Sequence, residues 1–154
     1  MTLRVLIASR KAGTRERLRA ALEKHGCDVC ASCADAAEVI AASRRRRAHV
    51  CVIHLDLPGG GITACRALAA RKRPPRILVL APASRENDVA AAMRAGADGF
   101  IVDDLDPRRI PEAVAEVAEG RPVLSSSSTA RLIAELRTPG NQQIGNPRRE
   151  EGQC

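Results

Sequence analysis

Val50-Cys51-Val52-Ile53-His54-Leu55, followed at once by Asp56-Leu57-Pro58-Gly59-Gly60-Gly61, is the stretch that decides the fold. An unbroken apolar run of this length, stopped by proline and glycine, reads as a strand buried on both faces. The helical pattern that resumes at Ile62 makes the glycine turn a strand-to-helix connection. In open α/β sheets, ligands and chemistry sit at the carboxyl ends of the strands. His54 and the turn Gly59-Gly60-Gly61 therefore mark the place where function is expected.

Reading outward, the same alternation repeats along the chain. Arg4-Val5-Leu6-Ile7-Ala8 is a first strand, and 14–24 carries a helical face at Leu18, Ala21 and Leu22 that Gly26 stops. A weaker strand at 27–32 precedes a helix over 36–43. Strand three is 50–55, and helix three runs over 62–71 with Ile62, Cys65, Leu68 and Ala69 inward. Strand four is 76–81, and helix four spans 85–95 between Ser84 as N-cap and Gly96 as stop. Strand five is 99–102, and helix five is 107–119, ended by Gly120. Pro111 requires that helix five either begin near it, where proline is tolerated, or start bent. Five strands separated by five helices call for a parallel sheet covered on both faces, and right-handed crossovers make it doubly wound.

At 154 residues and 45% hydrophobic content, the chain suits one compact domain plus a tail. Phe100 is its only aromatic residue, so base stacking and aromatic cages are poor explanations of its function. The net charge of +7 raises binding of nucleic acid or acidic surfaces. The dense basic run is Arg44-Arg45-Arg46-Arg47, read as a solvated helix end favoured by the helix dipole, with a phosphate or partner contact as the alternative.

Cys27, Cys30 and Cys33 have a spacing used in metal ligation. In an extended segment, however, positions i and i+3 point to opposite faces, and no fourth ligand completes a set. The expectation is small buried residues or free thiols, and no metal. The N-terminus enters a strand directly, without a signal-peptide apolar region or a span of about 20 apolar residues. A cytoplasmic protein with reduced thiols and no membrane contact is expected.

Arg4 to Arg10, Arg15 to Ala20, Pro58-Gly59 and above all Met93-Arg94-Ala95-Gly96-Ala97-Asp98-Gly99-Phe100 resemble the receiver domain of bacterial two-component response regulators. The likeness is to the NarL/FixJ-type subgroup, and Glu119-Gly120-Arg121-Pro122-Val123-Leu124-Ser125 matches its G-x-P-V-L-S continuation. The resemblance covers about residues 3 to 136. It implies a CheY-like, flavodoxin-like (βα)5 fold with five parallel strands in the order 2-1-3-4-5.

It also implies a phosphorelay site: an aspartate after strand three that takes the phosphoryl group, and an acidic pair after strand one that binds Mg²⁺ with it. A hydroxyl after strand four and a lysine after strand five complete the site. Carboxylates suit a hard cation, and the metal offsets the charge of the transferring group. In this chain the pair falls on Ser9 and Arg10, the acceptor on His54, the hydroxyl on Ala81 and the lysine on Asp103. Only the switch aromatic, Phe100, is retained. If two residues were lost before Pro58, Asp56 would be the acceptor instead, still without the acidic pair.

The resemblance therefore points to an atypical pseudo-receiver with a degenerate pocket, no catalytic residues and no Mg²⁺ cofactor. His54 is read as a hydrogen-bonded or ion-paired filler, and Arg10 with Asp103 as a salt bridge across the pocket. The expected domains are a receiver at 1–125, a linker helix at 126–137 and a disordered tail at 138–154. In the linker helix, Leu132, Ile133 and Leu136 share a face, and Ser127 or Ser128 is the cap. Two functions from different classes remain open. One is a non-enzymatic transcription regulator working through a homodimer of receiver helices or a partner, with DNA reached only through a helix-turn-helix domain absent from this chain. The other is a regulator whose pocket, with Arg10 and the N–H groups of Gly59, Gly60 and Gly61, binds a small anionic metabolite.

Overall fold

The computed structural model of the chain describes residues 2–102 and 108–136. Its elements run β1 (Arg4–Ala8), α1 (Ala12–Lys24), β2 (Asp28–Cys33), α2 (Ala36–Arg46), β3 (Val50–His54), α3 (Gly61–Ala69) and β4 (Arg76–Ala81). A 3₁₀ segment (Ala83–Asp88) leads into α4 (Val89–Arg94), then β5 (Gly99–Val102), α5 (Arg109–Ala118), β6 (Val123–Leu124) and α6 (Ser126–Leu136). The sheet order is β2-β1-β3-β4-β5-β6 with every pairing parallel. The expected order of five strands holds, and a sixth, two-residue strand is added at the β5 edge. Its pairs, Gly99 with Val123 and Phe100 with Leu124, come from the Pro122-Val123-Leu124 segment, which carries no strand in the sequence pattern.

Alternation along each strand divides the interior into two cores. Leu6, Ala8, Cys51, Ile53, Ile77, Val79, Ala81 and Phe100 face α2, α3 and α4. Val5, Ile7, Val50, Val52, Leu78, Leu80 and Ile101 face α1 and α5, where Leu18, Leu22, Val114 and Val117 close the layer. Phe100 is fully buried and is the largest side chain in the interior. A buried side chain of that class stabilises by about 1.5–3 kcal/mol. The remainder of both cores is built from Val, Ile, Leu, Ala and Cys.

Three expected details are corrected. The fourth helix does not start at 85 under a Ser84 cap. Pro82 leads into the 3₁₀ segment without any side-chain cap, Arg85 leaves helical geometry at φ −116°, and the α-helix begins only at Val89. The linker helix spans Ser126–Leu136, and its cap is Ser125 rather than Ser127 or Ser128: Ser125 Oγ accepts from the Ser128 N–H at 3.4 Å and donates to Ser128 Oγ at 2.6 Å. Of the expected apolar face, Leu132 packs on the core while Ile133 is 43% exposed. Pro111 is resolved by position: α5 starts at Arg109, so the ring sits in the first turn, where no intrahelical N–H bond is lost.

The segment Gly96-Ala97-Asp98-Gly99 is fixed by packing. Gly96 ends α4 at φ +111°, and a Cβ there would lie 2.4 Å from Ala69 Cβ on α3. Asp98, only 2% exposed, accepts the Ile77 N–H at 2.8 Å and faces Arg76 at 3.5 Å, tying the start of β4 to the entry of β5. Tail residues 138–154 lie outside the described residues. Gly96→Ala is expected to cost about 2 kcal/mol or more, from the left-handed backbone and the contact with Ala69. Urea unfolding should show a lower midpoint at unchanged slope.

Candidate functional site

Three strand ends meet at the carboxyl edge of the sheet. Ala8 pairs with Ile53 and His54 with Leu80, so Ser9, His54 and Ala81 follow one another across β1, β3 and β4. The fourth expected member, Asp103, and with it the salt bridge to Arg10, lies outside the described residues.

Ser9 is 2% exposed and its polar atoms are engaged. Its N–H donates to Cys33 O at 3.1 Å, its Oγ accepts from the Lys11 N–H at 3.3 Å, and its carbonyl accepts from Arg15 Nη1 at 2.7 Å. Arg10 is exposed and has no hydrogen bond or ion pair with any described residue. Neither residue supplies the carboxylate oxygens a Mg²⁺ site demands.

His54 closes β3 and is 7% exposed. Its Nδ1 lies 2.5 Å from Asp56 Oδ1, an atom wholly buried and without a well-formed hydrogen bond. Two lone pairs at that distance would repel, so a proton lies between the two atoms. The Asp56 N–H, 3.5 Å from the same nitrogen, is then a near approach rather than a bond. Asp56 thus stands two residues into the turn, against the imidazole that occupies the strand's last position.

The glycine turn is shaped by close contacts. Gly59 and Gly60 have φ of +87° and +98°, and a Cβ on Gly61 would lie 2.9 Å from His54 O and Leu55 O. Only glycine meets both demands. The Gly60 N–H already donates to Leu57 O at 2.8 Å, so the turn does not present all three N–H groups to an anion. Pro58 O accepts from Ala36 N at 2.9 Å and anchors the turn to α2.

Two cations missed in the sequence reach this edge. Arg15, from α1, holds Ser9 O. Arg85, from the 3₁₀ segment, donates through Nη1 to Leu55 O at 3.3 Å while its Nε and Nη2 hold Asp88 at 2.8 and 2.7 Å. Neither position stands out from its helical pattern, because what matters is the strand end each side chain reaches. Ala81 is fully buried and offers no donor, and Phe100 is buried in the α4-side core.

Among the described residues no group of three His, Cys, Asp or Glu side chains is arranged to hold a metal ion. The donors at the strand ends do not fit Mg²⁺: one engaged hydroxyl, one guanidinium and an imidazole with its carboxylate. For the Cys27-Cys30-Cys33 run, the register shift between Val5 and Leu6 skips Cys30, so Cys27 packs with the α1 and α5 side and Cys33 with the other. No helix among the described residues is long and apolar enough to cross a membrane.

The family model for the response regulator receiver domain matches residues 5–115. The DNA-binding transcriptional activator DevR/DosR of Mycobacterium tuberculosis is 33% identical over 117 residues, 75% of this chain and 54% of that protein. The nitrate/nitrite response regulator protein NarL of Escherichia coli is 33% identical over 87 residues, 56% of this chain and 40% of its own. The chain thus spans about half the length of these curated relatives. Among solved structures, a two-component response regulator of the LuxR family from Aurantimonas sp. SI85-9A1 superposes with a TM-score of 0.81 at 28% identity, covering 88% of this chain and 98% of that one.

Burial sets the reactivity of the thiols. It pushes Cys33 up to about 11 and Cys65 up to about 12, raises Cys51 further, and raises the partly exposed Cys27 and Cys30 less. At pH 8, Cys33 is then thiolate in about one molecule in a thousand. Iodoacetamide on the native protein at pH 8 should modify Cys27 and Cys30 before Cys33 and spare Cys51 and Cys65, all five reacting in urea. Peptide mapping by mass spectrometry reads the order, and early labelling of Cys51 would show an open core.

Proposed function

The chain belongs to the response regulator receiver family, and on that footing we propose that it is a receiver that signals without aspartyl phosphorylation. His54 carries this reading. It stands at the last position of β3, where the family's phosphoryl acceptor falls, and its imidazole is committed to Asp56. Ser9 and Arg10, at the position of the Mg²⁺-binding acidic pair, add a tied hydroxyl and a fixed cation that would repel the metal. A phosphoryl group entering there would meet neither a carboxylate nucleophile nor an offsetting metal. The protein is accordingly a non-enzymatic signalling module that has no need of Mg²⁺.

Two relatives are regulators by name, one of them a DNA-binding transcriptional activator. That supports a role in transcription regulation, with DNA reached through a helix-turn-helix domain of the kind the NarL/FixJ-type resemblance implies. Output would pass through helix contacts, in a homodimer or with a partner protein. Here α6 limits the choice: it lies on the 3₁₀ segment and α4, where Arg131 approaches Glu86 and Asn87 and Ser127 donates to Glu86. With that face covered in cis, α1 is the surface the reading favours for dimerisation.

A second reading, binding of a small anionic metabolite at the strand ends, is favoured by one observation. Arg10, Lys11 and Arg15 cluster after β1 without an ion-pair partner among the described residues. A thermal-shift screen of anionic metabolites tests it: a stabilisation that Arg15→Ala abolishes supports this reading, and no shift argues for the first.

Acetyl phosphate with Mg²⁺ should leave the intact mass of the protein unchanged, and beryllofluoride should leave its melting temperature unchanged. His54→Asp alone should regain no phosphoryl uptake, because Ser9 and Arg10 still bind no metal. Uptake by the wild type that Asp56→Asn removes would overturn the proposal and make Asp56 the acceptor.

A further inference from the structure

The opposite end of the sheet, where the strands begin, carries a groove of about 1090 Å³. Two connections form its walls. Arg44 and Arg47 come from the end of α2, Arg71, Lys72 and Arg73 from the α3-to-β4 connection, and Arg76 from the start of β4. No carboxylate among the described residues lines it. Leu3, Ala48, Pro74 and Pro75 supply apolar lining beside these charges.

The cations are more than the local structure needs. The C-termini of α2 and α3 together present about one negative charge through their dipoles, and Arg76 faces Asp98 at 3.5 Å. About four positive charges remain unbalanced by these two effects. Arg71 is structural: its guanidinium donates to Ser43 Oγ and Ile40 O, pinning the α3-to-β4 connection to α2. Burial, and after it the neighbouring Arg44, push its pKa down. Arg44, Arg47, Lys72 and Arg73 are exposed and have no hydrogen-bond or ion-pair partner among the described residues.

We propose that this groove is a binding site for a compact linear polyphosphate, a ligand of several consecutive phosphate groups, held between the α2 end and the α3-to-β4 connection. Guanidinium forks on facing walls match phosphate oxygens in pairs. An acidic peptide fits less well, because an extended chain turns only every second side chain to one face and so halves its charge density. A nucleic-acid duplex presents a convex rod, which does not enter a concave groove, and the chain has no aromatic residue here to stack on single-stranded bases. A volume of this order belongs to small-ligand sites. The site lies at the other end of the sheet from His54 and stands whether or not the receiver is phosphorylated.

Tripolyphosphate titrated into the full chain by calorimetry, at physiological ionic strength, tests the proposal. Saturable binding of one equivalent is expected, and Lys72→Glu/Arg73→Glu should weaken it by about tenfold or more. Both positions are exposed, so folding, checked by circular dichroism, should persist. Arg17→Glu/Lys24→Glu makes the same change in net charge on α1 and should leave the affinity within about twofold of wild type. Equal losses in the two variants would reduce the effect to overall charge and overturn the site. So would the absence of saturable binding, or tighter binding of random duplex DNA through Lys72 and Arg73, which would make this face a nucleic-acid surface.

Discussion

Burial of both faces of a parallel sheet is the constraint from which the rest of this molecule follows. The inner strands of such a sheet have no solvent-facing side, so each residue of β1, β3 and β4 must be apolar or tied to a polar partner. Val5, Leu6, Ile7 and Ala8, and Val50 through Ile53, meet that demand without one aromatic side chain, and Phe100 alone fills the wider space next to α4. With the faces consumed by packing, the strand ends are the places left for recognition. At the carboxyl ends the residues are Ser9, His54, Asp56 and Ala81, and at the amino ends they are the cations around Arg71.

The carboxyl end is organised as a closed polar arrangement. The Ser9 carbonyl is answered by Arg15, its hydroxyl by Lys11 N–H, and the Leu55 carbonyl by Arg85, which Asp88 in turn holds. Each of these bonds satisfies a buried or half-buried group that would otherwise cost about 1–3 kcal/mol. The His54 and Asp56 pair follows the same logic. Removing Asp56 would leave the buried His54 imidazole without this partner. Gly61 matters here too, since it lets α3 approach the His54 and Leu55 carbonyls more closely than any other residue would allow.

Most of the fold was legible because strand and helix signals in this chain are clean. Apolar runs between glycine and proline stops fixed β1, β3, β4 and β5, and the Gly26 and Gly96 stops are the positive-φ residues the backbone requires. What escaped was nonlocal. Val123-Leu124 becomes a strand only because β5 offers a free edge, and the Ser125 cap is invisible among four consecutive serines until α6 is docked. At the site, the positions of Ser9, His54 and Ala81 were readable by spacing from Pro58 and from the strand starts. Arg15, Arg85 and the role of Asp56 were not, since each acts by where a long or turn-borne side chain reaches.

Both ends of the sheet carry cations among the described residues, and that bears on how the molecule is built. An active receiver keeps a cluster of carboxylates at one end, which a metal must neutralise. In this chain the described part of that end carries Arg10, Lys11, Arg15 and Arg85 beside Asp56 and Asp88, while the far end carries Arg44, Arg47 and Lys72. The net charge of +7 raises the self-repulsion of the folded state, which the helix C-termini of α2 and α3 relieve only in part. A fold that tolerates this excess must gain its stability from the two apolar cores, whose packing is independent of charge. Anions at either pole would then relieve repulsion as well as make contacts, so that ligand binding and stability rise together.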